Sequence, residues 1–369
     1  MPLHRRTLLK QAAASAALLG CSVKGHDEPR PPSITWQTPD EGHPHRRTWM
    51  AFGASDPIWD DLLPRVRTDL GRIARILAEH EPVTMLVRPH ERALAARACG
   101  DAVELVDAKL DDLWIRDTGP VFVRSNTGEL GAVDLNFNGW GNKQAHPYDA
   151  EVARLVARKA GARRLETTLV GEGGGIEVDG RGTALLTESC VVNDNRNPGL
   201  TREDCETLLR QTLGLRKIIW LPGLRGEDIT DGHVDFYARF AKPGVVVAHL
   251  DPDPRSIDHE VTRRHLEILE ASQDADGRPL EVVTLTAPRR HRHLLDHDDA
   301  CLGYVNYALA NGLVLAPEFG DGRADRAARN ALRRLFPDRE VVQLDIDGIA
   351  AGGGGIHCAT LHEPLPVTG

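Results

Sequence analysis

Ala351-Gly352-Gly353-Gly354-Gly355-Ile356-His357-Cys358-Ala359-Thr360 is the stretch on which the reading of this chain turns. Four successive glycines let the backbone pass close to another group or to a ligand, at an entropic cost that a purely structural loop rarely bears. A cysteine set just after such a loop is a candidate nucleophile. A cysteine packed as a small hydrophobe explains the same residue on local grounds. The segment therefore has to be read with others.

Three more segments stand out on moving outward. Thr230-Asp231-Gly232-His233-Val234-Asp235-Phe236 leads toward a strand, and in extended form His233 and Asp235 would share one face. An imidazole beside a carboxylate has its tautomer and basicity set by that partner; a buried, satisfied histidine or a metal pair is the alternative. Asp112-Leu113-Trp114-Ile115-Arg116-Asp117-Thr118-Gly119-Pro120 reads as a strand ending in Arg-Asp and turned by Gly-Pro, with a surface ion pair as the plain reading. Gly171-Glu172-Gly173-Gly174-Gly175-Ile176-Glu177-Val178 places Glu172 between glycines before a strand, which a simple β-turn also explains.

Between these segments short apolar runs alternate with a few amphipathic helices. Strands are expected at 48–52, 82–87, 120–124, 131–136, 183–187, 217–221, 244–250, 280–285, 313–317 and 340–344, each bounded by turn-forming residues. Leu63, Val66, Leu70, Ile73 and Leu77 recur at helical spacing, predicting a helix to about His80 with Pro64 in its first turn. Thr201 and Asp204 have capping-box spacing and open a second helix through Leu213. Val261 to Leu269 and Ala324 to Leu335 give two more. Strands are too numerous for a doubly wound sheet of regular β-α units. No linker interrupts 34–369, which reads as a single domain.

Composition sets the class. With 369 residues, 41% hydrophobic and 27% charged, the chain can bury a real core. A net charge of −9 argues against a nucleic-acid partner and is compatible with a cationic substrate. Arg5-Arg6, then an alanine- and leucine-rich run to Gly20, read as an export signal over 1–20 of twin-arginine type; the apolar run is too short to cross a bilayer. Leu18-Leu19-Gly20-Cys21 resembles a lipoprotein cleavage box, so membrane association is expected only through a lipid anchor at Cys21, followed by a flexible tether over 21–33. Of six cysteines, removing Cys21 leaves five, so at least one thiol stays outside any intramolecular disulfide. No Cys/His spacing suggests structural zinc. His291, His293 and His297 with Asp296, Asp298 and Asp299 read as a solvated loop.

Taken together the segments match one family in order and spacing. Thr48-Trp-Met-Ala51, Trp114-Ile-Arg-Asp-Thr-Gly-Pro120, Phe137-Asn-Gly-Trp-Gly-Asn-Lys143, Glu172-Gly-Gly-Gly175, Asn195-Arg-Asn-Pro198, Asp231-Gly-His-Val-Asp235, Tyr304-Val-Asn306 and Gly353-Gly-Gly-Ile-His-Cys358 span most of 34–364. The chain resembles the agmatine deiminase and bacterial peptidyl-arginine deiminase family of the guanidine-modifying, or pentein, superfamily. That resemblance implies an α/β fold of five blades arranged as a propeller around a central site. It implies hydrolytic deimination of a small cationic guanidine or of peptidyl-arginine. Asp117 and Asp235 would grip the guanidinium, Cys358 would attack as thiolate, His233 would move protons and Glu172 would orient His233. Trp114, Arg116, Trp140 and Gly355 would shape the pocket, and no metal or organic cofactor is expected. Phe52-Gly53, Thr118 and Ala359 to Pro364 depart from the family's usual residues, so the resemblance bears on the chemistry more than on the particular guanidine. An amidinotransferase shares the covalent step, and a lipoprotein that binds cations without turnover is a further alternative. Oligomeric state stays open.

Overall fold

The protein is described from a computed structural model, over residues 34–366 apart from Asp298. The expected export signal over 1–20 and the expected tether over 21–33 lie outside the described residues. No described helix is long and apolar enough to cross a membrane.

Each of the ten expected strands forms, with ends shifted by at most three residues. The strands assemble into five separate sheets of one plan. A first strand pairs antiparallel with a central strand, a helix follows, and a third strand returns parallel to the centre. One sheet joins 121–125, 130–134 and 163–166 around the helix 152–160, with 36–37 added at its edge. The next joins 176–178, 183–187 and 217–221 around the helix 202–213. The third joins 238–242, 245–250 and 281–286 around 258–270, and the fourth joins 308–310, 313–318 and 340–345 around 322–335. In the fifth the first strand comes from the far end of the chain. Leu361–Pro364 pairs with His45–Phe52, followed by the helix Leu63–Ala78, the strand Val83–Val87 and an extra strand, Val103–Asp107.

Local chemistry explains the elements. The Leu63–Ala78 helix carries Pro64 in its first turn and fully buries Val66, Leu70, Ile73 and Ala74, the apolar stripe its spacing demands. The capping box at Thr201 forms, with the Thr201 hydroxyl accepting from the Asp204 N–H at 3.2 Å and the Asp204 carboxylate accepting from the Thr201 N–H at 2.9 Å. Gly214 then ends that helix in the left-handed conformation.

The sequence reading expected strands after Glu172 and after Asp235 without giving bounds, and they form at 176–178 and 238–242; it missed the strands 36–37, 103–107, 163–166, 308–310 and 361–364, and the helices 92–99 and 152–160. Several of these strands have three residues or fewer, and Arg163–Glu166 is polar and mostly exposed, so alternation gives little signal. Two expectations of extended backbone are corrected. Ile115–Thr118 and Val234–Tyr237 each form one helical turn, and the strand begins only after it.

Candidate active site

Those helical turns recur for a reason. In every sheet the chain makes a tight turn just before the first strand, and the turn carries polar side chains inward. Asp117 precedes strand 121–125, Glu172 precedes 176–178, His233 and Asp235 precede 238–242, Asn306 precedes 308–310, and Cys358 precedes 361–364. Residues more than 240 positions apart thereby meet. A methyl group on Gly174 would lie 2.7 Å from Asp117 Oδ1, 2.7 Å from His233 Nδ1 and 3.2 Å from Asp235 Oδ2, so this glycine gives the three groups the space they share.

His233 is buried with Nδ1 3.6 Å from Asp117 Oδ1 and Nε2 3.3 Å from Glu172 Oε2. Asp235 lies in the helical turn that His233 precedes and bonds to His357, while His233 pairs with Asp117 and Glu172, so the face-sharing His233–Asp235 pair expected from an extended segment does not form. Burial works against a charged imidazole, but Asp117, Cys190 and Glu172 outweigh it and hold His233 well above its ordinary value. Glu172 in turn accepts from Arg196 Nε at 2.9 Å on each oxygen, and Arg196 Nη1 reaches Asp231 at 2.7 Å. Burial opposes ionisation of Glu172; His233 and Arg196 overcome it and lower its value.

Asp117 accepts from Gly174 N at 3.0 Å and from Trp140 Nε1 at 3.0 Å. Burial, with Asp235 and Glu172 close by, raises Asp117 although His233 opposes it. Trp140 reaches this bond from a left-handed backbone, φ 54°, a conformation rare for a residue with a side chain.

Cys358 is partly exposed. Its Sγ lies 3.2 Å from Asn306 Nδ2 and 3.5 Å from Asp235 Oδ2. Burial, together with Asp235 and Asp117, pushes its thiol well above the ordinary value. These neighbours favour the neutral thiol, and the charge of a cationic substrate would favour the thiolate. Alkylation of Cys358 by iodoacetamide should accordingly be slow at neutral pH and rise about tenfold per pH unit beyond pH 9. Peptide mapping by mass spectrometry reads it site by site; a plateau near pH 8 would mean that the free protein already holds a thiolate.

A cavity of about 780 Å³ opens onto Cys358, His233, Asp117 and Asp235. Among the described lining residues there is no lysine or arginine, while Asp60, Asp61, Glu227, Asp228, Asp258 and Asp299 add negative charge around it. Such a cleft concentrates cations. Trp114 and Trp140 line it as expected. Two expectations are corrected. Arg116 faces away, pairing with Glu41 at 3.2 Å, and Gly355 packs against the Asn306 amide, leaving Gly353 and Gly354 at the wall. The histidine-rich loop is largely solvated, but His297 and Asp299 border the cavity.

A match to a family model spans residues 37–364 and describes the Porphyromonas-type peptidyl-arginine deiminases. A Streptomyces coelicolor protein whose name, agmatine deiminase, is provisional is 45% identical over 341 residues, 90% of this chain and 99% of its own. The agmatine deiminase of Stutzerimonas stutzeri is 37% identical over 355 residues, covering 89% of this chain and 95% of its own. The solved agmatine deiminase of Enterococcus faecalis superposes with a TM-score of 0.86 at 29% identity, over 90% of this chain and 96% of its own. The chain belongs to the agmatine deiminase and bacterial peptidyl-arginine deiminase family.

Within this deiminase family member, the sequence reading left several site residues without a role. Asn306, His357 and Arg196 lie inside motifs that were quoted, so their signal was present. Glu41 and Cys190 sit in no such motif. Cys190 Sγ is 3.6 Å from Glu172 Oε2, and Glu172, Cys190 and His233 offer donor atoms within 4.8 Å of one another. The third metal-type donor that sequence proximity lacked is thus supplied in space. Glu172 already accepts from Arg196 on both oxygens there.

Proposed function

We propose that this chain hydrolyses agmatine to N-carbamoylputrescine and ammonia through a covalent bond to Cys358. Asp117 and Asp235 receive the guanidinium N–H groups, a charge-assisted match to the planar cation. The substrate's positive charge offsets the carboxylates that hold the thiol neutral, so the thiol gives its proton to solvent as the cation binds, and the thiolate adds to the guanidinium carbon. His233 donates its proton to the departing nitrogen, which leaves as ammonia. A water molecule then gives one proton to His233 and attacks the thiouronium carbon; as the adduct collapses the departing sulfur takes the hydroxyl proton, releasing the neutral urea product and restoring the thiol. Glu172, fixed by Arg196, holds the imidazole in place.

The observation that carries the reading is that one cavity is lined both by a thiol 3.5 Å from one carboxylate and by an imidazole 3.6 Å from another. Peptidyl-arginine is the second reading, favoured by a volume that exceeds a small guanidine and by the family model. The five similar sheets support a five-bladed propeller with the site at its centre. Residues 34–369 form the catalytic domain in this reading, and 1–33 serve export and anchoring at Cys21, which places the enzyme in the cell envelope.

Ammonia release from agmatine, arginine and an arginine-containing peptide tests the assignment. Agmatine should exceed arginine by at least about 100-fold in kcat/KM, because no described lining cation meets an α-carboxylate and an unpaired buried charge costs several kcal/mol. A preference for the peptide would select the second reading.

A further inference from the structure

Beneath Asp235 lies a buried chain of charges that the proposed chemistry does not yet use. His357, immediately before the nucleophile, is 2% exposed. Its Nδ1 is 2.7 Å from Asp235 Oδ2, and its Nε2 is 2.8 Å from Glu41 Oε2. A ring that meets a carboxylate at both nitrogens satisfies both contacts only when each nitrogen carries a proton. Glu41 is anchored from three other directions, by Arg239 Nη2 at 2.8 Å, Arg116 Nη2 at 3.2 Å and the Leu309 N–H at 2.8 Å. It is thus held by residues preceding or within three different sheets, and it passes that rigidity to one imidazole.

The far end of the chain is the site itself. Asp235 Oδ2 is shared between His357 and the Cys358 sulfur. With Oδ2 so engaged, Oδ1 is the oxygen free to meet a guanidinium N–H. Asp235 is faced by His357, His233, Arg239, Cys358 and Asp117. Of the three cationic side chains, His357 alone donates to it. Burial opposes ionisation of Asp235, and His357, followed by His233 and Arg239, more than compensates.

We propose that His357 and Glu41 are positioning residues of the reaction: Glu41 fixes a doubly protonated His357, which orients Asp235 and keeps it ionised toward substrate and thiol. The proposal rests on the reading in which Asp235 grips the guanidinium and Cys358 attacks it.

Asparagine and glutamine at position 357 separate this role from a purely structural one. An asparagine amide reaches where Nδ1 stands and can still donate to Asp235, whereas a glutamine amide reaches where Nε2 stands and serves only Glu41. His357→Asn should therefore keep kcat/KM within roughly 10-fold of the parent, and His357→Gln should lose roughly 100-fold, mostly in KM. Thermal stability should rank in the opposite order, because glutamine keeps the Glu41 contact. Activity of His357→Gln equal to or above that of His357→Asn overturns the proposal.

Glu41→Gln is the independent variant should position 357 tolerate neither change. With its charge support weakened, His357 holds Asp235 ionised less well, so the acid limb of kcat/KM should move to higher pH; an unmoved limb overturns the proposal. Cys358→Ala distinguishes the layers. Full ammonia release from that protein would refute the underlying chemistry, whereas a dependence on Cys358 with the reversed ranking at 357 refutes only the positioning role.

Discussion

Cys358→Ala is expected to abolish ammonia release from agmatine while leaving the cation bound. The substitution removes one sulfur and nothing else. Asn306 keeps its bonds to the backbone N–H groups of His357 at 3.0 Å and residue 358 at 3.3 Å, and Asp235 keeps His357. Because residue 358 is partly exposed and borders open space, the change in folding stability should stay within about 1 kcal/mol. The rate loss should reach about 10⁴-fold or more, since the covalent path is removed and water alone must attack a delocalised cation. Removing the thiol also removes a group whose ionisation the carboxylates oppose, so agmatine affinity by calorimetry should be unchanged or higher. Residual turnover near the parent rate would end the nucleophile assignment. Cys190 could not easily take over, because it is buried behind Glu172 and His233 and its thiol is raised by burial and by Glu172.

The second large effect is expected at Asp117→Asn. The parent carboxylate accepts from Gly174 N and Trp140 Nε1, one on each oxygen. An asparagine must point its NH₂ at one of these donors, leaving a buried N–H unpaired, and it offers no charge to the guanidinium. A lost charge-assisted bond of about 1.5–3 kcal/mol with an unsatisfied donor of about 1–3 kcal/mol corresponds to roughly 10²–10⁴ in kcat/KM. The pH profile adds a signature. Burial disfavours the His233 imidazolium and Asp117 is the leading group that restores it, so the variant should lose its proton donor at lower pH than the parent. In kcat against pH, the basic limb should therefore shift toward neutrality. An unshifted limb would show that Asp117 does not hold that proton in place.

Much of this site was legible because its residues sit in segments whose composition is costly without a purpose. Four glycines before Cys358, and Glu172 between glycines, mark places where backbone must come close, and Gly174 demonstrates it by leaving no room for a methyl group. The inner strands were legible through apolar runs bounded by turns. What was not legible was the helical turn ahead of the first strand in three of the sheets. It spans four residues in Ile115–Thr118 and Val234–Tyr237, too short for helical periodicity to register. The fivefold recurrence of the sheet plan was equally hidden, because each unit keeps its geometry with different side chains and different loops. Arg116 was misplaced because a charged residue inside a motif suggests a ligand contact, whereas here its partner, Glu41, lies 75 positions away in sequence. Such a partner has no local signature.

The pairing of Leu361–Pro364 with His45–Phe52 has a consequence for the order in which the molecule becomes competent. Four of the five polar turns are in hand once the first 310 residues have been made. The thiol is locked into register only when the last strand has docked beside one of the earliest. A polypeptide still being made therefore carries the carboxylates and imidazole without the attacking sulfur in place, and stays silent until Leu361–Pro364 has emerged and paired.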